Sequence, residues 1–288
     1  MKNKFLLTGS VVSVVLAGLT ANAESAHHTQ VSDEVVTEQR HALAQKTDGA
    51  GFGPQAPRDL DVLSGTNHRA FESAPSYKDM NLCNIHFHEN AEHKGGNFTT
   101  YAGNGDGHGY GTGYKYDGDL TAEELAPFDH VVGKSAHGDL EPGDTIEVHF
   151  VHTTAQVTPG AALGACLSEA INNPQLRVET QVFVLVNDEH ALDFVALTHH
   201  EVANGVHQAT NIPSDTGTAI QYAGSTTGPS YNETGSPFQV TWSVRPEVAK
   251  LSISSVDTWL QGNTFDEDHA HGVRNLVVNP ELLSEIHS

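Results

Sequence analysis

Cationic side chains are scarce in this sequence. Fourteen lysines and arginines stand against 36 aspartates and glutamates, giving a net charge of -22. A chain this acidic has no basic surface with which to hold nucleic acid or an anionic membrane, so neither is expected as a partner. Internal repeats and sustained heptads are missing, which excludes a solenoid and a long coiled coil. Only one apolar run is of any length, and it lies at the N-terminus. Cysteine is nearly absent, with only Cys83 and Cys166 present.

The N-terminal run has the form of an export signal. Lys2 and Lys4 precede an apolar stretch, Phe5 to Leu19, and Ala21-Asn22-Ala23 supplies the small-x-small pattern of a cleavage site. Glycine and serine interrupt the stretch, and it is too short for a comfortable membrane span. Residues 1–23 are therefore expected to be removed, leaving a protein exported to the periplasm or secreted. In that setting Cys83 and Cys166 are expected to form a disulfide rather than remain two buried thiols. A loop of that length closed by a disulfide stabilises by ~4 kcal/mol in the chain-entropy model.

Residues 24–50 are polar and are expected to form a mobile lead-in, with a helical turn or two over Val35 to Ala44. From residue 51 to 288 the pattern is that of one β-rich domain, with short β-branched and aromatic runs between clusters of Gly, Asp and Asn. The clearest runs are Leu82–His88, Thr145–His152, Val178–Val186, Phe194–Leu197 and Phe238–Val244. Gly103–Asp119 reads as loop and turns. Thr121–Leu125, Gly164–Asn172 and Pro280–Ile286 read as small helices. With 38% hydrophobic residues the chain can bury a normal core.

There are 19 histidines, too many for each to carry function. Position within strands separates them. In Leu82-Cys83-Asn84-Ile85-His86-Phe87-His88, alternation places Asn84, His86 and His88 on one face and Cys83, Ile85 and Phe87 on the other. Two imidazoles two residues apart on a rigid strand are well placed to share a metal ion. In Ile146-Glu147-Val148-His149-Phe150-Val151-His152, only one histidine can face that ion. His149 is preferred because Glu147 shares its face and can accept its second ring N–H, as Asn84 can for a ligand on the first strand. Three neutral histidines form an open zinc site with a free fourth position. Cobalt or cadmium are possible substitutes.

Glu92 leaves an alternative open. His86-x-His88-x-x-x-Glu92 resembles the first cupin motif, and Pro142-Gly143 before His149 faintly resembles the second. A cupin would hold iron or manganese with His86, His88, Glu92 and His149. Against it stand the long separation of His88 from His149 and the misplaced glycine after Glu92.

The ordered set of motifs resembles the carbonic anhydrases of the α type. His86-Phe87-His88 with Glu92-His93 is followed by Glu147-Val148-His149-Phe150-Val151-His152. Tyr222-Ala223-Gly224-Ser225-Thr226-Thr227-Gly228-Pro229 is similar to that family's threonine loop, and Val240-Thr241-Trp242 to the strand after it. Pro54-Gln55-Ala56-Pro57-Arg58-Asp59-Leu60 is similar to its N-terminal Gln-Ser-Pro segment. Asn84 after Cys83, with Glu92-His93-Lys94-Gly95-Gly96 downstream, resembles the δ class most.

The resemblance implies a mainly β (α+β) fold, with a central, twisted, mostly antiparallel sheet and small peripheral helices. It implies reversible hydration of carbon dioxide to bicarbonate, with zinc on His86, His88 and His149 and a zinc-bound hydroxide oriented by Thr227 and Glu92. Val151, Val240 and Thr226 would line the substrate pocket. Thr226 stands where that family has leucine, and Gly228 where it has a second threonine. No histidine matches the family's proton shuttle by spacing, and His68 is the nearest substitute. A zinc-binding relative without activity is the remaining alternative.

Overall fold

The computed structural model describes residues 30–226 and 232–287. The expected export signal at 1–23 lies outside them. Helix α1 spans Asp33–Thr47. The strands that follow are β1 (Asn81–Glu89), β2 (Thr100–Asn104), β3 (Thr112–Lys115), β4 (Val132–Ser135), β5 (Gly138–Leu140), β6 (Thr145–Thr153) and β7 (Leu176–Val186). After helix α2 (Phe194–Thr198) come β8 (His200–Ala203), β9 (Val206–Ala209), β10 (Ile220–Ser225), β11 (Gln239–Val244) and β12 (Ala249–Ser252), then helix α3 (Ile253–Leu260).

The central sheet runs β1-β6-β7-β11-β10, with β12 beside β7. Pairings β1/β6, β6/β7 and β10/β11 are antiparallel, whereas β11 and β12 both run parallel to β7. The sheet is therefore mixed but mostly antiparallel. Strands β2/β3, β4/β5 and β8/β9 form separate two-stranded ribbons. Every residue of β6 and β7 is buried, as expected for strands covered on both faces.

The two faces carry two cores. One joins Ile85, Phe87, Val148, Phe150 and Phe183 to Phe194 of α2 and to Val256 and Trp259 of α3. Rings there meet edge-on or tilted, with centroids 5.8 Å apart for Phe87–Phe194 and 4.9 Å for Phe194–Trp259. Such contacts add to simple burial, and truncating Phe87 to alanine should cost ~3–5 kcal/mol. The other core joins Val151, Val178, Val182, Tyr222, Trp242 and Val244.

Three readings of the sequence need correction. The polar segment before residue 51 is not a loose lead-in over its described part. Val36, Gln39, Leu43 and Thr47 form one buried stripe of α1, and Leu43 packs on Val277, Leu282 and Leu283. Gln39 Nε2 donates to Gly107 O at 2.7 Å and Arg40 Nε to Leu276 O at 3.1 Å, so polar side chains as well as apolar ones dock the helix. Phe194–Leu197 is helical, not extended. Asp193 caps it by accepting from the Ala196 N–H, and Phe194 and Leu197 turn to the same core.

Cys83 does not share the face of Ile85 and Phe87. A register shift between Leu82 and Asn84 breaks the alternation, so Leu82 joins the core of Ile85 and Phe87 while Cys83 joins that of Val151. Cys83 and Cys166 are bonded there.

Of the smaller helical readings, Gly164–Asn172 overlaps only a 3-10 turn, Leu163–Cys166, and Pro280–Ile286 only Pro280–Leu282. Thr121 and Glu124 exchange the two hydrogen bonds of a capping box, 2.8 and 3.2 Å, but a turn follows instead of a helix. Gly103–Asp119 holds β3 as well as turns.

His152 lies on the face opposite His149 and is fully buried. Its Nδ1 donates to Phe150 O at 2.9 Å, its Nε2 has no partner among the described residues, and Tyr77 stacks obliquely on the ring. Burial lowers its pKa from 6.5 to about 3. The unfolded chain therefore binds the extra proton first, and stability falls as pH drops from about 6.5 towards 3. His152→Leu should remove this contribution, at most ~4–5 kcal/mol, and shift acid unfolding to lower pH. Chemical denaturation of both proteins at pH 7 and at pH 4 measures it; equal pH dependence would refute the assignment.

Candidate metal centre

Register brings the expected residues together. On adjacent strands β1 and β6, His86 pairs with His149 and His88 with Glu147. The rings of His86, His88 and His149 meet with centroids 5.2, 5.1 and 4.7 Å apart. One ring nitrogen from each lies within 4.8 Å of the others.

Hydrogen bonds decide which nitrogen that is. His86 Nδ1 donates to Asn84 Oδ1 at 2.6 Å, and His88 Nδ1 to Gly272 O at 2.8 Å, so both present Nε2. His149 is reversed: its Nε2 donates to Glu147 Oε1 at 2.7 Å, and its Nδ1 lies 3.3 Å from His86 Nε2. Two nitrogen ligands at ~2.05 Å in a tetrahedron are ~3.3 Å apart, the separation seen here. His88 Nε2 is buried without a partner among the described residues. A buried, unpaired acceptor aimed at two other ring nitrogens fits a divalent metal such as zinc.

The electrostatics agree. Burial, then the neighbouring imidazoles, holds His86 well below its ordinary pKa, and burial takes His88 to about 4. Both are neutral at pH 7 and need lose no second proton to bind a metal. Glu147 behaves oppositely. Burial pushes its pKa up, but His93 and His149 outweigh that and hold it well below the usual carboxylate range.

His93, Glu147 and His149 also cluster closely enough to suggest a second metal site. Their hydrogen bonds explain the cluster without one. His93 donates from Nδ1 to Glu147 Oε1 at 2.7 Å and from its backbone to Oε2 at 3.0 Å, and Tyr222 OH donates to His93 Nε2 at 2.6 Å.

Above the triad lies an inner chamber of about 30 Å³, lined by Val151, Val178, Leu163, Trp242, Thr226, Glu92 and Arg274 among others. Of the residues expected to line the pocket, Val151 and Thr226 line this chamber. Val240 does not: it lines a separate cavity of about 220 Å³ with Phe71 and Gln239. Trp242, two residues on along the same strand, takes the expected place. An outer vestibule of about 400 Å³ is lined by His86, His88, His108, Tyr110, Leu163 and His271 among others. His68 is exposed and lines neither space. Thr227 lies outside the described residues.

Glu92 is buried beside the triad but offers it no ligand atom; its Oε1 accepts from the Arg274 backbone N–H at 3.0 Å. The four-ligand cupin set is therefore not assembled among the described residues. Arg274 NH1 also donates to Thr226 O at 2.8 Å, so one residue holds both the carboxylate and the threonine loop. Sequence reasoning missed Arg274, Gly272 and the link from His93 to Tyr222. Only His93 and Tyr222 gave any signal, lying inside recognised motifs.

Sheet and histidine cluster together have the form that the family resemblance implied. The chain belongs to the delta carbonic anhydrase family, whose model matches residues 77–255, more than half of the sequence. No curated protein matches it. Among solved structures it is similar to the α-carbonic anhydrase of Photobacterium profundum, at 16% identity over 85% of this chain and 95% of that one, with a TM-score of 0.27. It is also similar to a halotolerant carbonic anhydrase from Dunaliella salina, at 13% identity over 84% and 90%, with a TM-score of 0.35.

Glu147→Gln tests the arrangement around the ligands. It keeps the shape but removes the charge that two histidines share, so zinc affinity should fall roughly 10–100-fold. Competition with a chelator of known affinity measures this, and unchanged affinity would mean that Glu147 does not support the site.

Proposed function

We propose that this protein is a zinc carbonic anhydrase catalysing the reversible hydration of carbon dioxide to bicarbonate and a proton. One observation carries the reading: three ring nitrogens within 4.8 Å of one another, two of them at the 3.3 Å spacing of tetrahedral ligands, on the sheet of a delta carbonic anhydrase family member. His86 and His88 would hold the ion through Nε2 and His149 through Nδ1. Bound zinc lowers the pKa of a water ligand to ~7, a value for which carbonic anhydrase is the standard example, and so supplies the nucleophile at neutral pH.

The chain's own groups orient the reaction. Glu92, fixed by the Arg274 N–H, would accept a hydrogen bond from the Thr227 hydroxyl. Thr227 would then have only a lone pair to offer, would accept from the attacking oxygen and so aim it. Val151, Val178, Leu163 and Trp242 give carbon dioxide an apolar wall against which it loses no hydrogen bond. The released proton leaves through the vestibule, where His108 and His271 replace His68. We also read the protein as exported, to the periplasm or beyond. The Cys83–Cys166 bond supports this.

Stopped-flow hydration on metal-analysed protein is the direct test. The parent should carry about one zinc per chain. Thr227→Ala and Glu92→Gln should keep that zinc and slow hydration by ~100-fold. Loss of metal from Glu92→Gln would favour the cupin reading. A parent that binds zinc without hydrating carbon dioxide would be the non-catalytic relative. A Thr227→Ala protein as fast as the parent would mean that another group orients the nucleophile.

A further inference from the structure

Between α1 and the chain that follows Leu276 lies a further cavity of about 380 Å³, within the ~300–1,000 Å³ that small-molecule sites occupy. Its walls are mostly apolar: Leu43 and Ala44 come from the helix, and Val277, Val278 and Leu282 from the segment opposite. Leu43, Val277 and Leu282 are buried, but Val278 is 55% exposed and leaves an apolar side chain to water. The cavity shares no described lining residue with the chamber or the vestibule above the triad.

The charged group in this cavity is a cation. Arg40 and His41 line it, and among the described residues no aspartate or glutamate does, although the chain carries 36 of them. Arg40 Nε donates to Leu276 O at 3.1 Å, which ties the guanidinium to the segment forming the other wall. Its two Nη atoms have no hydrogen bond or ion pair among the described residues, on a side chain that is half-buried. That is unusual in a chain of net charge -22. Arg177 has Glu179, Lys94 has Asp59 and Lys250 has Glu124. Arg58 gives both of its Nη atoms to backbone carbonyls, of Ser284 and Val62. Arg40 has neither solution, and its outer edge faces an apolar space.

We propose that this cavity is a binding site for a small amphiphilic carboxylate, an anion with a short apolar body. The planar Nη1–Nη2 edge of Arg40 matches the two oxygens of a carboxylate, and such a charge-assisted pair gains strength where apolar walls keep water away. The body lies on Leu43, Val277 and Leu282 and covers Val278. The same groups set specificity. An alcohol of equal shape offers the fork one oxygen and no charge, and an ammonium is repelled. The site stands apart from the proposed catalysis and does not depend on it.

Hexanoate is a suitable probe, titrated by calorimetry into zinc-loaded protein beside hexan-1-ol and hexylammonium. Hexanoate should bind with a Kd of about 1 mM, and the other two at least about tenfold more weakly. Arg40→Gln should weaken hexanoate about tenfold, and Arg40→Lys by less, because it keeps the charge but loses the fork. Since Arg40 also ties α1 down, Val278→Asp supplies a second test. It leaves the bond to Leu276 in place and should weaken hexanoate about tenfold by repulsion. Equal binding of the three probes, or Val278→Asp binding hexanoate like the parent, would overturn the proposal. So would hexanoate binding that vanishes when zinc is removed and survives Arg40→Gln, because the carboxylate would then sit on the metal. A parent dimer that Val278→Asp dissociates, with no hexanoate bound, would mean that a second copy covers the cavity, and would overturn it too.

Discussion

The arrangement depends on one buried charge. Glu147 has no solvent exposure, and an ionised carboxylate there is tolerable only if its oxygens are satisfied by donors held in place. His93 supplies two donors and His149 the third. Each donor fixes something beyond itself. The bond from His149 Nε2 forces that ring to present Nδ1 to the triad. The bonds from His93 pin the turn after β1 and, through Tyr222, tie it to β10 on the far edge of the sheet. Arg58 lies over the Tyr222 ring at 5.3 Å, so the N-terminal segment is drawn into the same network. Removing the charge would therefore loosen one ligand and the packing of two strands together.

Around that charge the sheet separates two tasks. Its back face is apolar and aromatic, closed by α2 and α3, and supplies rigidity. Its front carries polar groups that would be costly to bury singly but are satisfied in pairs: Asn84 with His86, Glu147 with His149 and Ser225 with Gln55 at 2.8 Å. His152 shows the difference between the faces. It sits three residues from His149 on the same strand but faces Tyr77, with one nitrogen unpaired and no second imidazole to converge with among the described residues.

The legible part of the site was the part written by strand periodicity. Asn84, His86 and His88, then Glu147 and His149, follow from a period of two, because regular pleating places alternate side chains on one face. Periodicity failed where the backbone departs from it. The register shift at Cys83 moves the disulfide to the metal side, and no pattern in Leu82-Cys83-Asn84 announces it. The short run at Phe194 reads equally well as strand or helix, and the Asp193 cap decided it. α1 looked mobile because its stripe includes Gln39 and Thr47, polar residues buried by hydrogen bonding rather than by apolarity. Val240 was placed on the right face but two residues short of Trp242 along its strand, a matter of where the chamber ends. Leu163, Gly272 and Arg274 reach the site from irregular segments, where spacing carries no information about position.

Those irregular segments also settle how the site closes. Residues 271–277 cross the open end of the sheet as a strap. His271 N donates to Phe87 O at 2.9 Å and Glu89 N to His271 O at 2.8 Å, extending β1 by a parallel bridge. Gly272 O then accepts the hydrogen bond of His88 Nδ1–H, Val273 N donates to Gly109 O, and Arg274 fixes Glu92 and Thr226. The strap must lie very close to the loop at Gly109. A Cβ on residue 272 would fall 2.8 Å from the Gly109 carbonyl carbon, so only glycine lets the carbonyl that orients His88 come that near. The His88–Gly272 contact joins residues 184 positions apart, and it is the hydrogen bond that fixes the orientation of the His88 ring. Ligand geometry is thus completed by one of the longest-range contacts in the chain, made only once the sheet exists for the strap to cross. A metal held by the finished triad would in turn favour the closed strap, because binding to the folded arrangement alone adds its free energy to folding.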